Sequence, residues 1–207
     1  MKGAEKIKSQ FDSLTTKEKI IRVAMDIIAE EGFQNITIRK IAAKAGVNVA
    51  AINYHFGSKD AVINEALKTV TDQLKNTFEY LKASNEIGET RLAIFVEKYT
   101  DIMLKYPDII KNMINHAIHS KPLDEQVEYL TYLKTEGIEA IKQTIGQIRP
   151  DQDDYLLYLK TLHLVSGLSF PFLMGEQINV LMGVDFYNQE IRQMHTKILL
   201  ENVCRRD

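Results

Sequence analysis

The stretch Thr37–Lys59, TIRKIAAKAGVNVAAINYHFGSK, constrains this chain more than any other part of it. It contains two short runs with the hydrophobic spacing of α-helices, joined at Gly46. It contains no Asp or Glu, and its basic residues are Arg39, Lys40, Lys44 and Lys59. A basic helical pair without acidic side chains predicts a surface that contacts a polyanion.

The distribution of charge along the chain supports the same prediction. Residues 1–60 contain ten Lys/Arg and seven Asp/Glu, whereas residues 61–207 contain sixteen and twenty-one. The formal net charge of the whole chain is only -2, so the asymmetry is hidden in the total. A basic N-terminal part joined to an acidic remainder indicates that the N-terminal part meets nucleic acid.

Length, cysteine content and hydropathy limit the class of protein. A chain of 207 residues can form one long or two small domains with a buried core. The single cysteine, Cys204, excludes an intrachain disulfide and fits a reducing compartment. No signal-peptide pattern and no apolar run of about 20 residues is found, so we expect a cytoplasmic protein without a membrane partner. The most apolar window, Leu162–Met174, is predicted to be a buried helix.

The fold class predicted from periodicity is all-α. Residues 1–14 are expected to form a loose helical arm, and residues 175–183 a break between helices. A DNA-binding domain is predicted at 1–62 and a helical ligand-binding and dimerisation domain at 63–207, joined through a long shared helix. The predicted helices are 17–31, 38–44, 48–56, 58–83, 89–105, 108–119, 124–147, 152–174 and 185–203.

The basic stretch has the steric pattern of a helix-turn-helix. Ala42 is small enough for two helices to cross closely, and Gly46, four residues later, suits a sharp turn. Ile52, six residues further on, can hold the second helix against the first. A helix with small outward side chains can enter the major groove of DNA. The outward or edge positions are Asn48, Val49, Ala50, Asn53 and Tyr54.

The run TIRKIAAKAGVNVAAINYHFGSKDAV, with the amphipathic helix before it that ends in EEGF, resembles the N-terminal signature of the tetracycline-repressor (TetR) family. The resemblance covers about residues 16–63. It implies a three-helix DNA-binding domain, an all-helical C-terminal domain and a homodimer bound to a palindromic double-stranded DNA operator. It also implies a repressor that a small-molecule effector, unidentified here, releases from DNA, with no cofactor and no enzymatic activity.

The resemblance implies a role for individual residues. Thr37 and Tyr54 would contact phosphates, as would His55 and, at the start of the fourth helix, Lys59. Arg39 would contact a phosphate or a base, and the base-reading positions would be Asn48, Val49, Ala50 and Asn53. Many members have Gly-Thr in place of Ala50–Ala51 and Tyr in place of Asn53. We hypothesise that Asn53 instead forms a bidentate pair with adenine.

Simpler interpretations of these residues remain open at this point. His55 could be a packed structural histidine, and Thr37 could only cap its helix. Lys44 could be a solvated surface charge.

The C-terminal half carries no comparable motif. By resemblance, the last two helices of each subunit would form a four-helix dimer interface, with these candidate residues: Leu159, Leu162, Ser166, Phe186, Ile191, Met194 and Ile198. Mixed aromatic, Met and His residues on the preceding helices suit an amphipathic ligand, although each of them could be ordinary core. The candidate ligand-binding residues are Tyr99, Met103, Met113, His116, Tyr129, Leu133, His163 and Phe170.

Other chemistry is weakly supported by the sequence. His116 and His119 lie one helical turn apart, with Asp124 and Glu125 following them. No metal site is predicted, because two His residues at this spacing are common by chance and no Cys ligand joins them. Sequence motifs for catalysis, such as a P-loop or Gly-x-Ser-x-Gly, are missing, so an enzyme is not expected. A DNA-binding regulator controlled by a protein partner, or an activator, remains an alternative.

Overall fold

The computed structural model describes residue 11, residues 13–83 and residues 85–205. These residues form α-helices with one 3-10 turn and one π-helical segment, and the described part contains no strand, which confirms the predicted all-α class. The predicted arm at 1–14 lies mostly outside the described residues. The helices are α1 Thr16–Glu31, α2 Ile38–Ala45, α3 Val49–Phe56, α4 Lys59–Ala83, α5 Gly88–Lys105, α6 Pro107–His119, α7 Asp124–Tyr132, α8 Ile138–Ile148, α9 Asp154–Leu173, α10 Gly175–Met182 and α11 Gln189–Cys204.

The start of α1 shows how local sequence sets a helix boundary. The Glu18 backbone N–H donates to the Thr15 hydroxyl at 3.3 Å, and the Thr15 backbone N–H donates to the Glu18 carboxylate at 2.8 Å. This reciprocal pair is the predicted capping box, which satisfies two N–H groups that the helix itself cannot. The helix ends at Gly32, whose φ of 78° favours glycine.

The chain divides into two compact units by contact, and the first comprises the described residues up to Val70 together with Asp108–Val127. Its core consists of apolar residues from α1, α2 and α3 and from the first half of α4, among them Ile20, Ile27 and Leu67, which are fully buried. The helix α6 belongs to this unit, since the Asn112 amide donates to the carbonyl oxygens of Ile28 at 2.9 Å and Ala29 at 3.3 Å.

The second unit comprises Thr71–Pro107 and the described residues from Glu128 onward. Its core packs α4, α5, α8, α9 and α11 around a cluster that includes Phe78, Phe95 and Leu164. Because α4 runs without interruption from Lys59 to Ala83, it contributes residues to both units. The predicted domain division at residues 62 and 63 stays a prediction, and the contact-based unit additionally groups residues 108–127 with the N-terminal helices.

Two helices approach closely in the second unit because one residue has no side chain. A Cβ atom at Gly167 of α9 would lie 2.7 Å from Leu199 Cδ1 of α11, which is closer than atoms can pack. Gly137 similarly allows the ring of Phe78 to approach, since its Cβ would lie 3.3 Å from Phe78 Cδ1. These glycines are therefore packing positions and not turns.

Two segments differ from the sequence-based expectation. The predicted helix 124–147 is interrupted by a π-helical segment, Leu133–Gly137, which shifts the register by only one residue and leaves little trace in hydrophobic periodicity. The predicted break at 175–183 contains the helix α10, which ends at Gly183. Pro171 lies inside the last turns of α9 and does not end that helix, which continues to Leu173.

The prediction that Leu162–Met174 is buried was wrong for one face of α9. Leu164 and Leu168 are buried, but Leu162 is 64% exposed and Phe170 is 56% exposed. By length and composition α9 could cross a membrane, and only 22% of the relevant window is buried. Core helices of soluble proteins pass the same test but are mostly buried, whereas α9 leaves one apolar face uncovered.

Candidate nucleic-acid interface

The turn between α2 and α3 has the geometry that the sequence pattern predicted. Gly46 adopts a left-handed conformation with φ 68°, and the backbone N–H of Val47 donates to the Ala42 carbonyl at 3.0 Å. Ala42 is 5% exposed and Ile52 is fully buried, so the small residue and the apolar anchor lie where two crossing helices need them. The helix α3 is thereby fixed against α2 and presents its other residues outward.

Asn48 caps α3 and is not part of it. Its side-chain oxygen accepts a hydrogen bond from the Ala51 backbone N–H at 2.7 Å. The side-chain NH2 group of an asparagine still has two protons to donate, so a capping Asn48 can also donate to an acceptor on DNA. The cap places this side chain at the N-terminal end of α3, the end at which recognition helices contact base edges.

The outward face of α3 is formed by small or short side chains. Val49 is 39% exposed, and Ala50 and Asn53 are exposed as well. Tyr54 is 86% exposed, and its ring lies edge-on to that of His55 at 5.2 Å. Because His55 is exposed, it is not enclosed between helices within the described part of the chain.

Thr37 and Lys59 flank the helix pair at two helix starts. The Thr37 hydroxyl accepts a hydrogen bond from the Lys40 backbone N–H at 3.2 Å, so Thr37 does cap α2, and its hydroxyl proton can still be donated. Lys59 is the first residue of α4 and is exposed there, and the Ser58 hydroxyl caps this helix by accepting from the Ala61 N–H at 3.1 Å. A helix N-terminus with an adjacent cation favours an anion such as phosphate.

Part of the positive charge of the stretch is engaged with acids at the end of α1. Lys40 forms an ion pair with Glu31, and Lys44 Nζ lies 3.3 Å from a Glu30 carboxylate oxygen and 3.5 Å from one of Glu31. The bound Lys40 holds the pKa of Glu31 below its usual value of 4.5, and the hydrogen bond to Glu30 raises the pKa of Lys44. The stretch itself contains no acidic residue, but Glu30 and Glu31 from α1 partly neutralise Lys40 and Lys44. Its positive charge is therefore smaller than the sequence of the stretch alone suggests. Arg39 is exposed.

Two of the eight candidate ligand-binding residues belong to the first unit. Met113 is 6% exposed, and its carbonyl accepts from the side-chain amide of Gln126 at 2.8 Å. The His116 ring packs on Phe33 with ring centres 4.5 Å apart, and its Nδ1 lies 3.1 Å from the Gln126 side-chain oxygen. Both residues thus pack α6 within the N-terminal unit.

Four further candidates pack in the second unit. Tyr99 contacts the rings of Phe78 and Phe95, and its hydroxyl lies 3.1 Å from the Ser169 hydroxyl. The remaining three are Met103, which is 1% exposed, Tyr129, which is 7% exposed, and Leu133, which packs against the core cluster. Burial raises the pKa of the Tyr129 hydroxyl well above its usual value.

The last two candidates, His163 and Phe170, line an open apolar cleft of about 420 Å3 between α9, α10 and α11. Two other clefts, of about 510 and 570 Å3, are lined mainly by polar residues of α4, α5 and α11, and none of the eight predicted residues lines them. The structure therefore separates the predicted ligand-binding residues into packed core positions and one cleft.

Most of the candidate dimer residues lie on the uncovered faces of α9 and α11. Leu159 is 45% exposed, Leu162, Met194 and Ile198 are between 56% and 64% exposed, and Ser166 is exposed too. Ile191 is half-buried. Phe186 differs, since it is 8% exposed and its ring packs edge-on to His195 at 5.1 Å within the same chain.

Within the described residues no three His, Cys, Asp or Glu side chains are grouped to hold a metal ion. Sequence reasoning missed Asn112, because a hydrogen bond between residues 84 positions apart leaves no local pattern. It also missed Glu30 and Glu31, although their position at the end of α1 could have been combined with Lys40 and Lys44.

Comparison with known proteins places these observations in a family. A family model described as "Bacterial regulatory proteins, tetR family" matches residues 20–66. The chain is 27% identical over 201 residues to "Probable HTH-type transcriptional regulator YttP" of Bacillus subtilis, covering 93% of this chain and 95% of that protein. It is 26% identical over 151 residues to the HTH-type transcriptional repressor KstR2 of Rhodococcus jostii, covering 69% and 72% of the two chains.

The fold is likewise shared with solved structures. A TetR transcriptional regulator from Legionella pneumophila superposes with a TM-score of 0.68 at 16% identity, over 91% of this chain and 97% of that one. At this level of identity the likeness establishes the fold.

Proposed function

Because the chain belongs to the tetR family of bacterial DNA-binding transcriptional regulators, we propose that it acts as a homodimeric repressor that a small molecule releases from a palindromic operator. The chain is a regulator and not an enzyme. A repressor that reads chromosomal DNA acts in the cytoplasm. The observation that carries the proposal is the outward face of α3, which combines a fixed helix with small, exposed side chains.

Base reading is assigned to the outward positions of α3. Val49 and Ala50 can approach thymine methyl groups because they are short, and Asn53 can donate to and accept from adenine in a bidentate pair. Asn48 contributes its amide protons, since its oxygen is occupied by the cap. A good bidentate pair contributes about 1–3 kcal/mol of discrimination between bases.

Phosphate contacts are assigned to groups at the edges of the helix pair. Arg39 of α2 and Tyr54 of α3 are both exposed. Thr37 and Lys59 lie at the starts of α2 and α4, where a helix N-terminus favours a phosphate. His55, also exposed, can donate to a phosphate from its ring. These contacts would set the position and register of the protein on DNA without selecting a base.

Dimerisation is assigned to the uncovered apolar faces of α9 and α11. Leu159, Leu162 and Ser166 recur on one face of α9, and Met194 and Ile198 lie four residues apart on α11. A two-fold symmetric dimer on a palindromic operator would read two half-sites in successive major grooves, which on DNA lie about 34–36 Å apart.

Release by a ligand is the third part of the proposal. The helix α4 contributes to both compact units, so a ligand that binds the second unit and favours a different position of α4 would change the spacing of the two α3 helices. A differential affinity of a few kcal/mol between the two states is enough to change operator occupancy strongly. His163 and Phe170 in the apolar cleft are the candidate ligand contacts that solvent reaches directly.

Selection of bound sequences from a random double-stranded library tests the DNA part. We expect a two-fold symmetric consensus, and we expect Asn53→Ala to lose preference for one adenine while binding remains. Ile118→Ala, at an exposed position of α6, is the matched control and should leave the consensus unchanged. Retention of the wild-type consensus by Asn53→Ala would contradict the assignment of Asn53.

The effector part requires a separate measurement. Thermal unfolding in the presence of small-molecule panels identifies compounds that raise the melting temperature, and the same compounds should weaken binding to the selected operator. A compound that stabilises the protein without changing operator affinity would contradict ligand release through that site.

A second candidate is control by a protein partner without a small ligand. The burial of Met103 and Tyr129 and the packing of Tyr99 against Phe95 favour it, because these side chains are already engaged in contacts within the chain. Purification of the operator-bound protein from its native cells, followed by identification of associated proteins, distinguishes this candidate from the first. Activation instead of repression depends on operator position and is tested by measuring transcription from a promoter that carries the selected sequence.

A further inference from the structure

The C-terminal tip of α10 carries three consecutive apolar residues that are almost fully exposed. Val180 is 84% exposed, Leu181 is 82% exposed and Met182 is 73% exposed, and no residue of α10 is buried. Successive residues of an α-helix point about 100° apart, so these side chains cover a wide arc. Contiguous exposed apolar side chains of this kind are typical of surfaces that bind another molecule.

An apolar hollow lies directly beside this tip. The cleft of about 420 Å3 has Ile178 and Met182 of α10 on one side and His163 and Phe170 of α9 on another, with Phe186 and His195 completing it. His195 Nε2 lies 2.9 Å from the Gly167 carbonyl oxygen, and the edge-on contact with Phe186 holds its ring. The side of the hollow formed by Phe186 and His195 is therefore held in place by the chain's own packing.

The tip and the cleft are continuous with the apolar face of α9. Phe170 lines the cleft and also follows Leu159, Leu162 and Ser166 on one face of α9, at helical spacing. A single surface thus carries a flat apolar face, a hollow and a protruding apolar tip. A surface that contains both a projection and a hollow is suited to a two-fold interface, in which each copy fills the hollow of the other.

Charge argues against a membrane as the covering molecule. Between Gly175 and Ile191 the sequence contains Glu176, Asp185 and Glu190 but no Lys or Arg. Anionic lipid surfaces attract basic segments and repel acidic ones. The cleft of a second copy is instead lined mainly by apolar side chains.

We propose that Val180 and Leu181 of each protomer insert into the α9–α10–α11 cleft of a second copy and complete the dimer. The proposal rests on the homodimer proposed above and adds to it an exchanged contact outside the flat faces of α9 and α11. In this dimer His163 and Phe170 contact the partner protomer, and a small molecule that enters the same cleft would compete with that contact.

The dimer dissociation constant of the full chain, measured by sedimentation equilibrium, tests the proposal. Leu162→Glu probes the flat face, Leu181→Glu probes the tip, and Ile118→Glu is the control, being a 70% exposed isoleucine on α6. We expect Leu162→Glu and Leu181→Glu each to weaken the dimer by about tenfold or more, and Ile118→Glu to leave it unchanged. The melting temperature at low protein concentration verifies that each variant folds.

The possible outcomes separate the two proposals. Weakening by Leu162→Glu alone would leave the homodimer in place and overturn the role of the tip. A wild-type chain that stays monomeric at high concentration would overturn both. Vesicles of phosphatidylglycerol that bind the wild-type chain but not Leu181→Glu, with the dimer unchanged in that variant, would assign the tip to lipid and also overturn the proposal.

Cross-linking between two single-cysteine proteins tests the exchange directly. In a Cys204→Ser background, Leu181→Cys is mixed with His163→Cys under oxidising conditions, so that any disulfide between these positions must join two chains. We expect a cross-linked heterodimer, and we expect none when Ile118→Cys replaces Leu181→Cys. A heterodimer that fails to form while the mixed proteins remain dimeric would overturn the insertion.

Discussion

The side-chain amide of Asn112 donates a hydrogen bond to the carbonyl oxygen of Ile28 at 2.9 Å, across 84 residues of chain. Ile28 lies in the last turn of α1, and its carbonyl oxygen also accepts from the Gly32 backbone N–H at 3.1 Å. Asn112 therefore adds a side-chain donor to the last turn of α1 and joins α6 to α1 by a polar contact.

Replacement of Asn112 should measurably destabilise the N-terminal unit. Asn112→Ala leaves the carbonyls of Ile28 and Ala29 without this donor, so we expect the free energy of unfolding to fall by about 1–2 kcal/mol. Asn115→Ala, an exposed asparagine on the same helix, should change it by less than about 0.5 kcal/mol. Urea unfolding provides the measurement, and equal effects of the two substitutions would contradict the role of this donor.

The turn glycine offers a test of conformational strain without a steric clash. A Cβ at Gly46 would meet no atom within 4 Å, so a substitution there acts only through its φ of 68°. We expect Gly46→Ala to lower the free energy of unfolding by about 1–2 kcal/mol, and Gly46→Asn to lower it less, because asparagine tolerates this conformation better. A larger loss for asparagine than for alanine would show that φ is not the cause. Chemical denaturation of the three proteins settles the order.

The salt dependence of operator binding should distinguish basic residues that contact phosphates from those that are paired with acidic residues of the same chain. Arg39→Ala should weaken operator binding and reduce the slope of log affinity against log salt concentration by about 1, as expected for loss of one phosphate contact. Lys44→Ala should reduce the slope less, since Lys44 is paired with Glu30 and Glu31. Fluorescence anisotropy titrations at about 50 to 300 mM salt, where the Debye length is on the order of 10 Å, provide the slopes. Equal slopes for the two variants would contradict the distinction.

The ion pairs at the end of α1 predict a pH dependence. The folded chain holds the pKa of Glu31 below its usual value of 4.5, mainly through Lys40, so the unfolded chain binds the proton more tightly. The stabilisation is therefore complete above about pH 4.5 and is lost as the pH falls through the lower folded-state pKa. A double-mutant cycle with Glu31→Gln and Lys40→Met should give a coupling free energy at pH 7 that disappears in acid. A coupling that is independent of pH would contradict the electrostatic origin.

Much of the N-terminal unit could be predicted from sequence, because its signals are local. Thr15 and Glu18 predicted a helix start, and Gly46 with Ile52 predicted the turn and its anchor, since each depends on residues within a few positions of one another. The interaction of Glu31 with Lys40 crosses from one helix to the next. It was missed because charges were counted within a single stretch of sequence.

The C-terminal half was harder to predict for a physical reason. The apolar residues of α9 occur nearly all round the helix, so periodicity could not separate the side that packs on Leu199 from the side that remains uncovered. The helix α10 was predicted to be a break because glycines flank it. The spacing of apolar residues along one helix does not show whether a second chain would cover them. The packed structure of the single chain is needed to show which apolar residues that chain leaves exposed.

Of the eight residues of α3, only Ile52 is buried. The side chains proposed to contact bases consequently contribute little to the free energy of folding, and most exchanges among them carry no penalty in stability. After gene duplication, one copy can acquire a new operator through substitutions at Val49, Ala50 and Asn53 while Ile52 keeps the helix in place. The same separation makes these three positions a natural choice for a combinatorial library aimed at new DNA targets.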